Sequence, residues 1–181
     1  IQNNGDTREH IAKVATHLFS HHGYEATSIR DLAEAAGVTK PVLYYYFQSK
    51  ENLFITLIHE AYEFFYQALE KIIQGEGSFE ERLRNLTEMY FSLSREYGDT
   101  VRLIYMMVFG PRRILPPIDI FKLEKKHFSY LERLFEEGIV NGHIRDVSID
   151  SITHLFLGSI SIYMQTLLFT PEPIPDNVVD I

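Results

Sequence analysis

The 181-residue chain contains no cysteine. A disulfide framework, a thiolate zinc site, an iron–sulfur cluster and a cysteine nucleophile are thereby excluded, and a reducing compartment fits. Positive charge is also scarce. The formal net charge is -8, so the molecule as a whole is not drawn to nucleic acid or to anionic lipid. The first residues show no basic-then-apolar signal pattern, which sets the expectation of a cytoplasmic protein. No alternating run with a hairpin turn appears, so no sheet is expected. There is no internal repeat and no low-complexity segment. A Ser/His/Asp set and a Gly-rich phosphate loop are both missing, so the chain does not read as an enzyme and no cofactor is expected. The last long apolar segment, from Ile152 to Phe169, is interrupted by His154 and Gln165 and diluted by Gly158, Ser159 and Ser161. It falls short of a continuous membrane span and reads as a helix packed between protein layers.

What the chain has in quantity is helical periodicity. Ile11, Val14, Ala15, Leu18 and Phe19 fall on one helix face, and Gly23 ends that run. Ile29, Leu32, Ala33 and Ala36 repeat the pattern in a shorter unit. Ser28 with Asp31 forms a capping box at its start, and Gly37 suits the position after its end. Thr39 then caps a helix with Pro41 in its first turn. Ser49 opens a long helix to about Gln74, and Ser78 with Glu81 opens another to about Tyr97. A shorter helix runs to Phe109. Pro-bounded Arg112 and Arg113 follow, placed where they would meet an anion at a pocket mouth. Helices at about 118–140 and from Ser148 to Thr170 complete the chain. The expectation is an all-α protein, helical over about three-quarters of its length against the roughly one-third typical of globular domains.

Charge is unevenly distributed. In residues 1–50, Arg8, Lys13, Arg30, Lys40 and Lys50 balance Asp6, Glu9, Glu25, Asp31 and Glu34, so residues 51–181 carry the whole negative excess. Any nucleic-acid contact therefore belongs to the first fifty residues, and is local rather than spread over a basic face. Ser28 to Phe47 has the proportions of a helix-turn-helix. Leu43 and Phe47 take the inward side of its second helix, leaving Lys40, Tyr44 and Tyr45 outward or at the edge. Tyrosine reaches phosphate oxygens with its hydroxyl and thymine methyls with its ring. Thr39 at the helix start and Lys50 beyond its end suit phosphate as well.

The stretch TSIRDLAEAAGVTKPVLYYYFQSKENL, residues 27–53, closely resembles the signature of the TetR family of bacterial transcriptional regulators. Ala15, Leu18, Phe19, Gly23 and Tyr24 upstream agree with it. The resemblance covers residues 7–60, about a third of the chain. It implies an N-terminal three-helix helix-turn-helix DNA-binding domain at 1–48. Residues 49–181 become an effector-binding and dimerisation domain, with helix 50–74 linking the two. It implies further that two subunits place their second motif helices in successive major grooves of a palindromic operator. Carried over by position, Thr27, Ser28, Thr39, Lys40, Pro41, Tyr44, Tyr45 and Lys50 contact DNA, and Val42 touches a thymine methyl. Position 41 is often glycine in the family.

Beyond the motif, aromatic and Met-rich walls suit an apolar or aromatic small-molecule effector. The candidates are Tyr62, Phe65, Tyr66, Leu69, Leu86, Met89, Tyr90, Leu93, Ile104, Tyr105, Met107 and Val108. The last two long helices suit a homodimer bundle through Phe121, Phe128, Leu131, Leu134 and Phe135 on one, and Leu155, Gly158, Ser159, Ile162, Thr166 and Phe169 on the other. His17 and His21 have a metal-binding helical spacing, but no third and fourth ligand is evident beyond His22, and they read as an exposed pair. Glu124 with His127 reads as a surface ion pair, since a di-iron site needs a second such motif. The resulting reading is a cytoplasmic, ligand-responsive repressor released from operator DNA by its effector. The alternative is a helical protein-interaction module that does not read DNA.

Overall fold

A computed structural model describes residues 4–110 and 115–170. Among the described residues there are eight helices and no strand. They are α1 (Asn4–His22), α2 (Ile29–Ala35), α3 (Lys40–Phe47), α4 (Lys50–Ile73), α5 (Phe79–Glu96), α6 (Gly98–Phe109), α7 (Ile120–Val140) and α8 (Ile149–Phe169). Arg112 and Arg113 lie outside the described residues.

The helix boundaries follow local chemistry. Ser28 and Ser78 each close a capping box, with Asp31 and Glu81 as the reciprocal acidic partners. Ser148 accepts a hydrogen bond from the Ser151 N–H at the start of α8, and Ser49 accepts one from the Asn52 N–H at the start of α4. Each cap satisfies an amide that the helix itself leaves without a partner.

Two compact units result: Ile1–Tyr62 with Asp99–Ile118, and Glu63–Gly98 with Asp119–Ile181. In the first, Ile11, Ala15 and Phe19 of α1 are buried, as are Leu32 and Ala33 of α2, Leu43 and Phe47 of α3, and Leu53, Phe54, Leu57 and Ile58 of α4. Phe19, Tyr24 and Phe54 form an aromatic cluster with ring centroids 5.0–5.7 Å apart. Burying these side chains holds α2 and α3 against α1 and α4, since helices of seven and eight residues are too short to be stable alone.

In the second unit α8 packs on α7 and α5. Its core holds Phe79, Leu86, Phe91, Leu131, Leu134, Phe135, Ile160 and Met164. Buried Arg82 ties three segments together. It donates to the Ile73 carbonyl at 2.7 Å and forms a two-pronged ion pair with Glu137. The Arg82 hydrogen bonds hold the Glu137 carboxyl below its ordinary pKa. The Tyr66 hydroxyl donates to the Leu123 carbonyl at 2.6 Å, and His127 lies 2.7 Å from the Tyr90 hydroxyl and edge-on to Phe65. His127 is thus engaged inside the unit, with Glu124 a more distant neighbour at 3.9 Å.

Candidate nucleic-acid interface

The geometry of the α2–α3 turn is set by one glycine. Ala36 caps α2, Gly37 takes φ +62°, and two hydrogen bonds close the turn. The Gly37 N–H donates to the Glu34 carbonyl at 3.1 Å and the Val38 N–H to the Ala33 carbonyl at 3.0 Å. This is a Schellman motif, which requires a left-handed residue where glycine stands. The chain re-enters a helix at Thr39. The first intrahelical bond of α3 is Leu43 N–H to Thr39 carbonyl at 3.1 Å.

α3 divides cleanly into two faces. Leu43 and Phe47 are buried, and Arg8 covers the Phe47 ring at 5.2 Å. On the opposite face Tyr45 is 72% exposed and Tyr44 45%. Tyr45 stands edge-on to Tyr46, with centroids 5.0 Å apart. Thr39, Lys40 and Pro41 are exposed at the helix start and Val42 is half-buried. The Thr39 side chain makes no capping bond. With Pro41 contributing no N–H, the backbone amides of Lys40 and Val42 are the first-turn donors that α3 leaves outside its own ladder. Thr39, Lys40, Pro41, Tyr44 and Tyr45 therefore form one continuous outward surface of polar and aromatic groups.

Two expected contacts do not belong to that surface. Thr27 is only 1% exposed, and its hydroxyl donates to the Gly23 carbonyl at 2.8 Å. It fixes the α1–α2 turn and has no face toward a duplex. Ser28 beside it is exposed, with its hydroxyl engaged by the Asp31 N–H. Lys50 is half-buried. Its ammonium donates to the Tyr24 and Thr27 carbonyls at 2.9 and 3.0 Å and sits 4.1 Å from the Tyr24 ring centroid. Two of its three donors are thus spent inside the protein. Lys50 ties the α1–α2 turn to α4, a positioning task that its place in the sequence does not reveal.

The expected effector wall is unevenly buried. Tyr62, Tyr66, Leu69, Leu86, Tyr90 and Met107 are buried, whereas Phe65, Met89, Leu93, Ile104, Tyr105 and Val108 are half-buried. A separate open cavity of about 540 Å³ lies within the second unit. It is lined by Phe79, Leu83, Thr87 and Phe91 of α5, by Phe135 and Ile144, and by Ile152, Leu155, Phe156, Ser159, Ile160 and Tyr163 of α8. None of these was expected as a pocket residue. All but Ile144, which lies between α7 and α8, belong to amphipathic helices whose apolar positions look like ordinary core in sequence.

The expected dimer residues also divide. Leu131, Leu134 and Phe135 are fully buried within the subunit itself. They are core and leave nothing for a partner to touch, which corrects the sequence expectation. Leu155 is 72% and Ile162 67% exposed, and Phe121, Gly158, Ser159 and Phe169 are exposed as well. Phe128 and Thr166 are half-buried. α8 is long and apolar enough to cross a membrane by length and composition, but Thr153, Ile160, Met164 and Leu168 give it a buried face within the second unit.

Comparison with known proteins agrees with this geometry. Residues 11–57 match the family described as bacterial regulatory proteins, tetR family. A solved transcriptional regulator of the TetR/AcrR family from Thermobifida fusca YX-ER1 is 31% identical, with 97% of this chain and 93% of that chain covered and a TM-score of 0.68. The fatty acid metabolism regulator protein of Bacillus subtilis (strain 168) is 25% identical over 137 residues, 75% of this chain and 70% of its own length. AibR, solved in complex with isovaleryl coenzyme A and operator DNA, superimposes with a TM-score of 0.76 at 23% identity, covering 96% of this chain and 93% of that one. This last likeness is one of fold.

Proposed function

Because the chain belongs to the TetR family of bacterial transcriptional regulators, we propose that it reads operator DNA through the outward face of α3 and is released when an acyl-chain effector binds. The protein is a DNA-binding, ligand-responsive transcriptional regulator that works as a homodimer. The observation that carries the DNA reading is the exposed pair Tyr44 and Tyr45 beside Lys40 and Thr39 on a helix whose other face is fully buried. Exposed tyrosines on the outward face of α3 suit phosphate oxygens through their hydroxyls and thymine methyls through their rings.

By role, we divide the chain into a DNA-binding domain at 1–48 and an effector and dimerisation domain at 49–181. The compact units divide it by packing instead, through the middle of α4. Repression is the sign of regulation we assign, in the cytoplasm where the operator lies. The effector assignment rests on two supports. The cavity in the second unit is lined almost wholly by apolar side chains, which matches an acyl chain. The B. subtilis relative regulates fatty acid metabolism, and AibR holds an acyl coenzyme A. The dimer seam we assign to one side of α8, with Leu155, Ser159, Ile162 and Phe169 exposed and Thr166 half-buried, together with Phe121 of α7. Effector and operator would oppose one another through a reciprocal coupling free energy.

The test is selection of double-stranded DNA from a random pool at low, stated salt, with wild type and Tyr44→Ala in parallel. Wild type is expected to enrich a palindrome that Tyr44→Ala enriches weakly or not at all. Absence of enrichment at every salt concentration would put the protein-interaction reading ahead. The enriched duplex then serves to score release by acyl coenzyme A thioesters of graded length.

A further inference from the structure

We propose that His17, His21 and Asp99 form a binding site for a divalent transition-metal ion of the zinc class, stapling α1 to the start of α6. The two histidines occupy positions i and i+4 of α1, the spacing that puts two imidazoles on one helix face. Beyond the adjacent His22, sequence supplies no third ligand near them. The fold does, from 78 residues further along the chain. His17 Nδ1 lies 2.8 Å from Asp99 Oδ2, and His21 Nε2 lies 2.8 Å from Asp99 Oδ1. The two rings are 4.5 Å apart between centroids and tilted by 40°. One nitrogen from each ring and the carboxylate all lie within 4.8 Å of one another. All three residues belong to the same compact unit.

The donor set decides the class of ion. Two imidazoles and one carboxylate are the ligands of zinc, nickel, cobalt, copper and non-haem iron, whereas magnesium and calcium take oxygen shells. Four-coordinate zinc has bonds of about 2.0–2.2 Å. Tetrahedral geometry then sets ligand atoms roughly 3.3 Å apart, so the two 2.8 Å contacts would open and the widest separation, which lies within 4.8 Å, would close. The side chains are about half exposed, at 59%, 40% and 41%. An ion held by three protein ligands would keep a fourth position open to water. Partial burial raises the Asp99 pKa, but hydrogen bonding to His17 and His21 outweighs it and leaves the carboxyl below its ordinary value.

At present each imidazole is hydrogen-bonded to the carboxylate. A metal ion would take the place of the bridging protons, and metal uptake would release protons as pH requires. The consequence is mechanical. α1 packs on α2 within the DNA-reading motif, and Asp99 stands in the first turn of α6. Loading would replace two exposed hydrogen bonds by coordinate bonds across the α1–α6 joint.

The experiment uses the untagged, metal-stripped full chain without DNA, so its failure is distinct from any failure of operator recognition. Zn²⁺ is titrated calorimetrically and Co²⁺ by its visible absorption, for wild type, His21→Gln, Asp99→Asn and the control His22→Ala. Wild type is expected to take up one ion per chain with the absorption of a four- or five-coordinate cobalt site. His21→Gln and Asp99→Asn should each weaken binding at least tenfold, and His22→Ala should leave it unchanged. Zn²⁺ should also slow amide hydrogen exchange in the first turn of α6. No saturable uptake by millimolar Zn²⁺, or a loss in His22→Ala equal to that in His21→Gln, would overturn the site. Uptake without slower exchange would overturn the staple.

Discussion

Thr27 and Lys40 both carry polar side chains expected to meet DNA, yet they stand in opposite environments. Lys40 is exposed on the outward edge of α3, while Thr27 is enclosed with its hydroxyl bound to the Gly23 carbonyl. The difference predicts two separable phenotypes. Lys40→Ala is expected to lower the dependence of log Kd on log salt by about one, the signature of one lost phosphate contact. Thr27→Val is expected to leave that slope unchanged. It should instead destabilise the fold by about 1 kcal/mol, because the enclosed Thr27 hydroxyl and its hydrogen bond to the half-buried Gly23 carbonyl are lost. Operator titrations over a range of salt, with urea unfolding of the same proteins, read both. Lys50 belongs with Thr27 in this respect, since the backbone carbonyls it holds are those of the α1–α2 turn.

Elements are fixed in place by small residues as much as by large ones. Gly138 sits inside α7 and is fully buried. A Cβ built there would stand 2.6 Å from the Phe79 ring and 3.1 Å from the Ile144 side chain. Phe79 is itself buried at the start of α5, so the ring has little room to yield. Alanine gains about 1 kcal/mol of helix propensity over glycine, but overpacking a filled core costs about 1–3 kcal/mol. Gly138→Ala is therefore expected to lower stability on balance by about 1 kcal/mol, seen as a lower urea midpoint with an unchanged slope. The close approach of α5 and α7 is invisible in sequence. A glycine within a helical pattern looks there like a weak point, not a contact.

At the scale of the whole molecule, the exposed face of α8 is the feature that a single subunit leaves unexplained. Leu155 and Ile162 are seven residues apart, both about two-thirds exposed or more, with Ser159 between them on the same face. Monomers seldom display such a stripe, and symmetric helix pairs bury it. Ile162→Glu is expected to shift the protein from dimer to monomer at micromolar concentration in sedimentation velocity. It should cut operator affinity far more than it cuts thermal stability, since both half-sites must be read together. Net negative charge works in the same direction: operator recognition, here proposed to run through two spaced α3 helices, gets little help from long-range attraction.

Local chemistry along the chain is enough to mark the helices and the motif. Serine caps at 28, 49, 78 and 148 mark helix starts that the structure reproduces, because a cap acts on amides within three residues of itself. The outward face of α3 was legible for the same reason, since helical periodicity assigns Leu43 and Phe47 to one side and Tyr44 and Tyr45 to another. Which apolar face meets which follows from packing between distant segments. Leu131, Leu134 and Phe135 went to the core of the subunit while Leu155 and Ile162 stayed outside, although all five have the same chemistry. Only that packing enclosed Thr27 and brought Asp99 to His17 and His21. Local rules reach one helical turn, and contacts between distant segments are set by how the packed helices share the burial of apolar surface.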